Sequence, residues 1–184
     1  ILELAKSNNT LDLDYYLLAF FPEIDKNNLR DSRVRQINIW ELLSHSSGFG
    51  GPFGSDNMIE KGERPWCPYK LEEIESVTLA GEPGSNYVYS NVAYCLLGEV
   101  ISKVSGMSYK DYVQKVYLSG YRSLSFLNKE SDDLDPAYSY ANEYRFDENY
   151  INWIDFNALA PAAGLKGDIA EFATLIQALY SKNP

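Results

Sequence analysis

The chain has 184 residues, 45% of them hydrophobic and 14% aromatic, and a formal net charge of −10. A chain of this length buries about 70% of its unfolded surface on folding, which is enough for one domain around one core. The acidic balance excludes a phosphate-binding surface and so a nucleic-acid partner, and no apolar run approaches the roughly 20 residues that span a bilayer, so no transmembrane segment is expected.

Leu2, Leu4 and Ala5 read as the end of a helix, and Glu3 and Lys6 interrupt any secretory h-region. Leu17, Leu18, Phe20 and Phe21 form a short apolar stretch stopped by Pro22. Asn38 is placed to cap a short helix through Ile39, Trp40, Leu42 and Leu43, with Gly48 as its terminator. His45 lies beside Ser44, Ser46 and Ser47, but adjacent residues rarely set a base against a nucleophile, so it is expected to interact with the last helix carbonyls. It is the only histidine, which argues against a metal site, and no cofactor is expected.

Gly48, Gly50, Gly51, Gly54 and Pro52 predict a loop that continues toward Pro68, and Leu71 to Val77 reads as a short helix. Val92, Leu96, Leu97, Val100, Ile101 and Val104 then recur at helical spacing, the clearest helix in the chain, closed by Gly106. Cys95 falls on that apolar face, where a small buried thiol packs well, a reading that disfavours a bridge to Cys67. Ahead of the helix, Asn91 is the expected cap, and Tyr89 stands at a helix mouth where N–H groups are unpaired and a partial positive charge gathers. Ser108 with Asp111 imitates a capping box and opens a helix through Tyr112, Val113 and Val116. Leu124 to Leu127 reads as extended. Between Ser131 and Trp153 periodicity vanishes and acidic and aromatic residues alternate, which predicts a long surface loop. Asp168 is placed to cap a last helix whose Ile169, Phe172, Ala173, Ile176 and Leu179 share a face. The expected fold is mainly α.

Three stretches carry a resemblance. Tyr89-Ser90-Asn91 resembles the Tyr-x-Asn motif of the serine β-lactamase and penicillin-binding-protein superfamily, in the branch with class C β-lactamases, D-alanyl-D-alanine peptidases and related esterases. Ile39 to Phe49 is similar to that family's LLSHTSGL segment, and Tyr89 to Gly98 with Val104 to Tyr109 to its YSNxGYxLLGxIIExxSGxSY segment. Weaker echoes at Leu11 to Asp14, Phe21 to Glu23, Pro161 to Leu165 and Asp168 to Phe172 extend the likeness over roughly Thr10 to Tyr180.

The resemblance implies a serine acyl hydrolase whose serine attacks a carbonyl from a Ser-x-x-Lys turn, with a lysine taking its proton. No Ser-x-x-Lys occurs in the chain, nor the family's Lys-Thr-Gly or His-x-Gly strand. Residues 1–184 are therefore expected to be the helical lobe of an α/β (α+β) hydrolase, truncated at both ends, without its flanking sheet and inactive by itself. In the complete enzyme, the family role of Tyr89 is to share the acid/base work of acylation and deacylation, and that of Asn91 is to hydrogen-bond the substrate's amide carbonyl. A phenol ionises near pH 10 unless cations lie close, so without the family's lysines Tyr89 is expected to be neutral. The implied partner is a small-molecule or peptide acyl substrate, in an exported protein. Ala163 stands where class C β-lactamases often carry tyrosine, which disfavours a dedicated cephalosporinase and leaves esterase and D-amino-acid peptidase activity open. The alternative is a non-catalytic scaffold or ligand-binding domain of the same fold. Loss of the sheet also makes self-association of the lobe an expectation.

Overall fold

The computed structural model describes residues 1–8, 11–50, 58, 63–128 and 154–182. Helix α1 (Leu2–Asn8) opens the chain, followed by 3-10 turns at Leu17–Ala19 and Ser32–Gln36 and by α2 (Ile39–Leu43). Next come α3 (Trp66–Tyr69), a 3-10 turn at Leu71–Ser76 and the long α4 (Asn91–Ser105). Helix α5 (Tyr109–Val113) runs into a π-helical turn at Gln114–Leu118, and α6 (Phe156–Leu159) and α7 (Ile169–Lys182) follow. Strand pairing among the described residues is limited to β1 (Ser125–Phe126) antiparallel to β2 (Leu165–Lys166), with Ser125 opposite Lys166, and to a single bridge between Tyr16 and Asn38. The expected predominance of helix is what the described residues show. The expected loop at 131–153 and most of the glycine-rich stretch after Gly50 lie outside them.

Helix α4 is the hub, touching α2, α3, α5 and α6. Its Val92, Leu96, Leu97, Val100 and Ile101 are buried with Leu17, Phe21, Val34, Ile39, Leu42 and Ile74 in one cluster, as the spacing predicts. Each such side chain contributes about 1.5–3 kcal/mol on burial. The helix closes on Gly106, whose φ of 70° is the left-handed conformation that glycine adopts without penalty. Gly98 serves a different purpose: a Cβ there would lie 2.3 Å from Pro161 Cγ, so the bare backbone is what lets the segment after α6 lie on α4.

Several local expectations are corrected. Cys67 and Cys95 form a disulfide, with their Cα atoms 6.2 Å apart, that ties α3 to α4. Neither is a free buried thiol. Helix α2 ends well before Gly48, because His45 itself adopts a left-handed φ of 56°. Gly48 is needed instead for close approach, since a Cβ there would meet the Gly81 carbonyl oxygen at 2.5 Å. On α7 the buried residue is Leu175, in a second cluster with Leu118 and Leu124, while Ile169, Phe172 and Ile176 of the predicted face lie open. Asn38 does cap α2, in a reciprocal box with Glu41, and Ser108 accepts from the Asp111 N–H as its motif predicts.

Candidate active site

The segment from Leu79 to Asn91 is laid along residues 45–48 by backbone hydrogen bonds. The Ala80 N–H donates to the Gly48 carbonyl at 2.9 Å, Gly84 to Ser46 at 2.8 Å and Val88 to His45 at 2.7 Å. A charged clamp holds its beginning. Asp31 accepts from the Leu79 N–H at 3.0 Å and pairs with Arg33 through both carboxylate oxygens, while Arg33 also reaches Glu82 at 2.9 Å and the Leu79 carbonyl at 3.2 Å. The guanidinium beside it, with the Leu79 and Arg33 amides, holds the Asp31 carboxyl far below the usual carboxylate range.

At the other end the chain stays extended through Ser90, with φ −150° and ψ 117°, and then enters α4. Ser90 is the cap, its hydroxyl accepting from the Ala93 N–H at 3.1 Å. The expected cap, Asn91, is instead the first helical residue. That displacement by one position matters, because it releases the Asn91 carboxamide from the helix end and brings it to Tyr89. The Tyr89 hydroxyl donates to Asn91 Oδ1 at 2.9 Å. Asn91 is only 7% exposed whereas Tyr89 is 59% exposed, so the pair joins a buried amide to a tyrosine that lies largely at the surface. The two residues singled out by the sequence motif are thus brought together at the surface, at the N-terminus of the longest described helix.

His45 is the residue that local sequence reasoning misplaces. Its backbone N–H does meet its own helix end, at the Leu42 carbonyl 3.3 Å away, but its carbonyl accepts from Val88 and its ring Nδ1 accepts from the Ser90 N–H at 3.2 Å, so the side chain holds a turn more than 40 positions away. The imidazole lies between the rings of Tyr89 and Tyr94, at centroid distances of 4.7 and 4.8 Å, and Tyr87 meets it edge-on at 5.5 Å. Burial lowers its pKa, so the imidazole is neutral near pH 7. The available sequence signal is modest: histidine is among the residues that tolerate a positive φ, and a sole histidine past a helix end is a candidate for such a position.

Chemically, a surface phenol tethered by its own hydroxyl can pass a proton to an arriving group, and the carboxamide beside it carries N–H donors suited to a carbonyl. Among the described residues no cluster of His, Cys, Asp or Glu could hold a metal ion, and no helix is long and apolar enough to cross a membrane.

A family model described as Beta-lactamase matches residues 5–183. The chain is 35% identical over 161 residues to the probable fimbrial assembly protein FimD, serogroup H1, of Dichelobacter nodosus, covering 84% of the chain and 40% of that protein. Among solved structures it is similar to the octameric penicillin-binding protein homologue from Pyrococcus abyssi, with 29% identity, a TM-score of 0.50, and coverage of 70% of this chain and 30% of that one. It shares the fold of the D-amino acid amidase from Ochrobactrum anthropi SV3, with a TM-score of 0.68, 19% identity, and coverage of 98% of this chain and 52% of that one. The chain thus spans about 40% of the length of the curated relatives it first matches. With nearly every residue inside the matched range and the helical architecture shared with its solved neighbours, the chain belongs to the Beta-lactamase family, a family of serine-hydrolase-like, penicillin-binding-protein-related proteins.

Proposed function

We propose that the chain is the helical lobe of a serine acyl hydrolase that cleaves amides or esters through a serine acyl-enzyme, and that Tyr89 and Asn91 are its share of the catalytic site. The observation that carries this reading is the hydrogen bond of 2.9 Å from an exposed Tyr89 phenol to Asn91 at the start of α4. Acyl transfer needs a group that moves a proton between nucleophile and leaving group, and a second that holds the carbonyl under attack. Tyr89 and Asn91 have those chemistries. The N-terminus of α4 adds a partial positive charge where negative charge develops on the substrate. The nucleophile, in a Ser-x-x-Lys turn, lies outside the 184 residues, and so does the strand that closes the site; the chain alone is inactive. Export to an oxidising compartment fits the Cys67–Cys95 bridge, since disulfides persist there.

The test uses a fluorescent penicillin and a fluorophosphonate probe on this chain and on the longer product of its gene. The chain alone stays unlabelled, and the longer protein is acylated on the serine of a Ser-x-x-Lys turn. Tyr89→Phe in the longer protein slows acylation by about 100-fold or more, the usual scale for a lost acid/base group. Stoichiometric labelling of the 184 residues alone would place the nucleophile among them. A longer protein with no Ser-x-x-Lys and no labelling is instead the non-catalytic scaffold.

A further inference from the structure

We propose that His45 is a positioning residue for the Tyr89–Asn91 pair: as a neutral imidazole with its proton on Nε2, it accepts the Ser90 amide at Nδ1 and, wedged between the rings of Tyr89 and Tyr94, fixes the phenol on the Asn91 carboxamide. This rests on the reading of Tyr89 and Asn91 as acyl-transfer groups, but its geometry does not depend on the substrate.

A neutral imidazole has one donor and one acceptor nitrogen, and a backbone N–H can only donate. The 3.2 Å contact from the Ser90 amide therefore assigns the lone pair to Nδ1 and the proton to Nε2. Ser90 lies between Tyr89 and Asn91, so this one bond fixes the backbone of the motif at its centre. A second bond, from the Val88 amide to the His45 carbonyl at 2.7 Å, fixes it on the other side of Tyr89. The ring then sets the side chain. In an extended segment Tyr87 and Tyr89, two positions apart, point to the same side, and both rings lie on the imidazole, Tyr89 tilted by 34° and Tyr87 edge-on at 74°. Tyr94 stacks on it at an interplanar angle of 21°, and its own hydroxyl is secured on the Leu43 carbonyl at 3.2 Å. The imidazole is thus a spacer held by three rings and through one nitrogen. His45 holds this place through a left-handed backbone, φ 56°, a conformation that is uncommon outside glycine and so is sustained by the contacts around it.

Protonation undoes the arrangement. With Nδ1 carrying a proton, two donors would face each other across the contact to Ser90, and the ring has to turn or withdraw. Among the described residues, the titratable groups whose rings pack on it are the phenols of Tyr87 and Tyr89 from the turn and of Tyr94 from α4. Burial among these rings disfavours the cation and is the cause of the lowered His45 pKa.

His45 is the only histidine, so the imidazole nitrogens of the 184-residue chain are observable without assignment ambiguity in a nitrogen-15 spectrum. At neutral pH Nδ1 is expected at the shift of an unprotonated nitrogen and Nε2 at that of a protonated one. On acidification the Tyr89 ring and Asn91 side-chain signals move in step with His45, through one midpoint below its ordinary value of about 6.5. His45→Asn keeps an acceptor oxygen and tolerates the left-handed backbone but removes ring and titration; the variant stays folded by circular dichroism, and its Tyr89 and Asn91 signals are flat over the same range. In the longer protein the same variant slows acylation by about tenfold and removes the His45-linked limb of the pH profile. A proton on Nδ1 at neutral pH, or Tyr89 and Asn91 signals that stay fixed while His45 titrates, overturns the proposal. If the signals couple but Tyr89→Phe leaves acylation unchanged, the positioning role stands and the acyl-transfer reading fails.

Discussion

The Cys67–Cys95 bridge offers the most direct quantitative test of how the helices are held. It closes a loop with a sequence separation of 28 residues. In the chain-entropy treatment, a loop of that size removes about 12 cal/mol/K from the unfolded ensemble, or about 3.6 kcal/mol at 25 °C. For a domain of this length 1 kcal/mol moves the melting temperature by about 2–4 °C, so opening the bridge is expected to lower it by about 7–14 °C. The comparison is made by urea unfolding and thermal melts of the oxidised and fully reduced chain, with Cys67→Ala/Cys95→Ala as a second route to the open form. The urea m-value is expected to rise at the same time, because an unfolded chain without the cross-link exposes more surface. Both cysteines are buried, at 0% and 1% exposure, so the alanine pair is expected to fall somewhat below the reduced protein through the volume it removes. Equal stability of oxidised and reduced protein, or two titratable thiols in the native unreduced chain, would refute the reasoning.

Two further outcomes follow from named contacts. Asp31 titrates near 3.8 when unperturbed, and in the fold its carboxyl stays ionised to much lower pH. The native state therefore binds fewer protons than the unfolded one in that window, and the stability it contributes is complete above about pH 4 and lost as pH falls toward the depressed value. Urea midpoints measured from pH 2 to 7 are expected to show this acid limb, and Asp31→Asn to flatten it and lower the midpoint at pH 7; an unchanged acid limb in the variant would show that the clamp is not what titrates. Gly98→Val drives side-chain atoms into the Pro161 ring and is expected to destabilise by about 1–3 kcal/mol, read as a lowered thermal midpoint. An unaltered midpoint would mean that Pro161 packs on α4 less closely than the 2.3 Å between its Cγ and a Cβ added at Gly98 implies.

What could be read from sequence, and what could not, divides by the range of the interaction. Helix α4 was legible because its apolar residues recur with the period of one face, and that face needs only to be buried, whatever the partner. Asn38 was legible because a cap needs only its own side chain and the first turn that follows it; the reciprocal bond to Glu41 is what the structure adds. Ser90 and Asn91 were not separable by the same logic, since both are good caps and the choice depends on where the helix starts. Here Ser90 stays extended, and Asn91 enters the helix with Tyr89 bonded to its side chain. The disulfide depends on a Cα separation that only the packing of α3 on α4 sets, and the apolar face that suits a free thiol at Cys95 is equally the face on which a buried bridge must lie. On α7 the sequence shows two overlapping apolar stripes, and nothing in its period tells which one, Leu175 or Ile169 with Phe172 and Ile176, meets the core of the described chain.

The same distinction explains why the Tyr89–Asn91 motif is built as it is. Two residues on a surface turn could not hold a fixed geometry from local bonds alone, because exposed turns open readily. Here the turn is held from outside at each of its parts. The Asp31–Arg33–Glu82 clamp fixes residues 79–82, the backbone of 45–48 fixes 80–88, the His45 ring fixes Tyr89, and the bridge at Cys95, one helical turn beyond Asn91, fixes the helix on which the motif ends. Each of these ties reaches the motif from a segment distant in sequence. Substitutions at Arg33 or Cys67 should therefore disturb the phenol and the carboxamide without touching either, a substitution at His45 removes a ring in direct contact with Tyr89, and the order of the effects should follow closeness to the pair, with His45 first. A greater disturbance of the Tyr89 signals from Arg33→Ala than from His45→Asn would reverse that order and show that the clamp, and not the imidazole, governs the site.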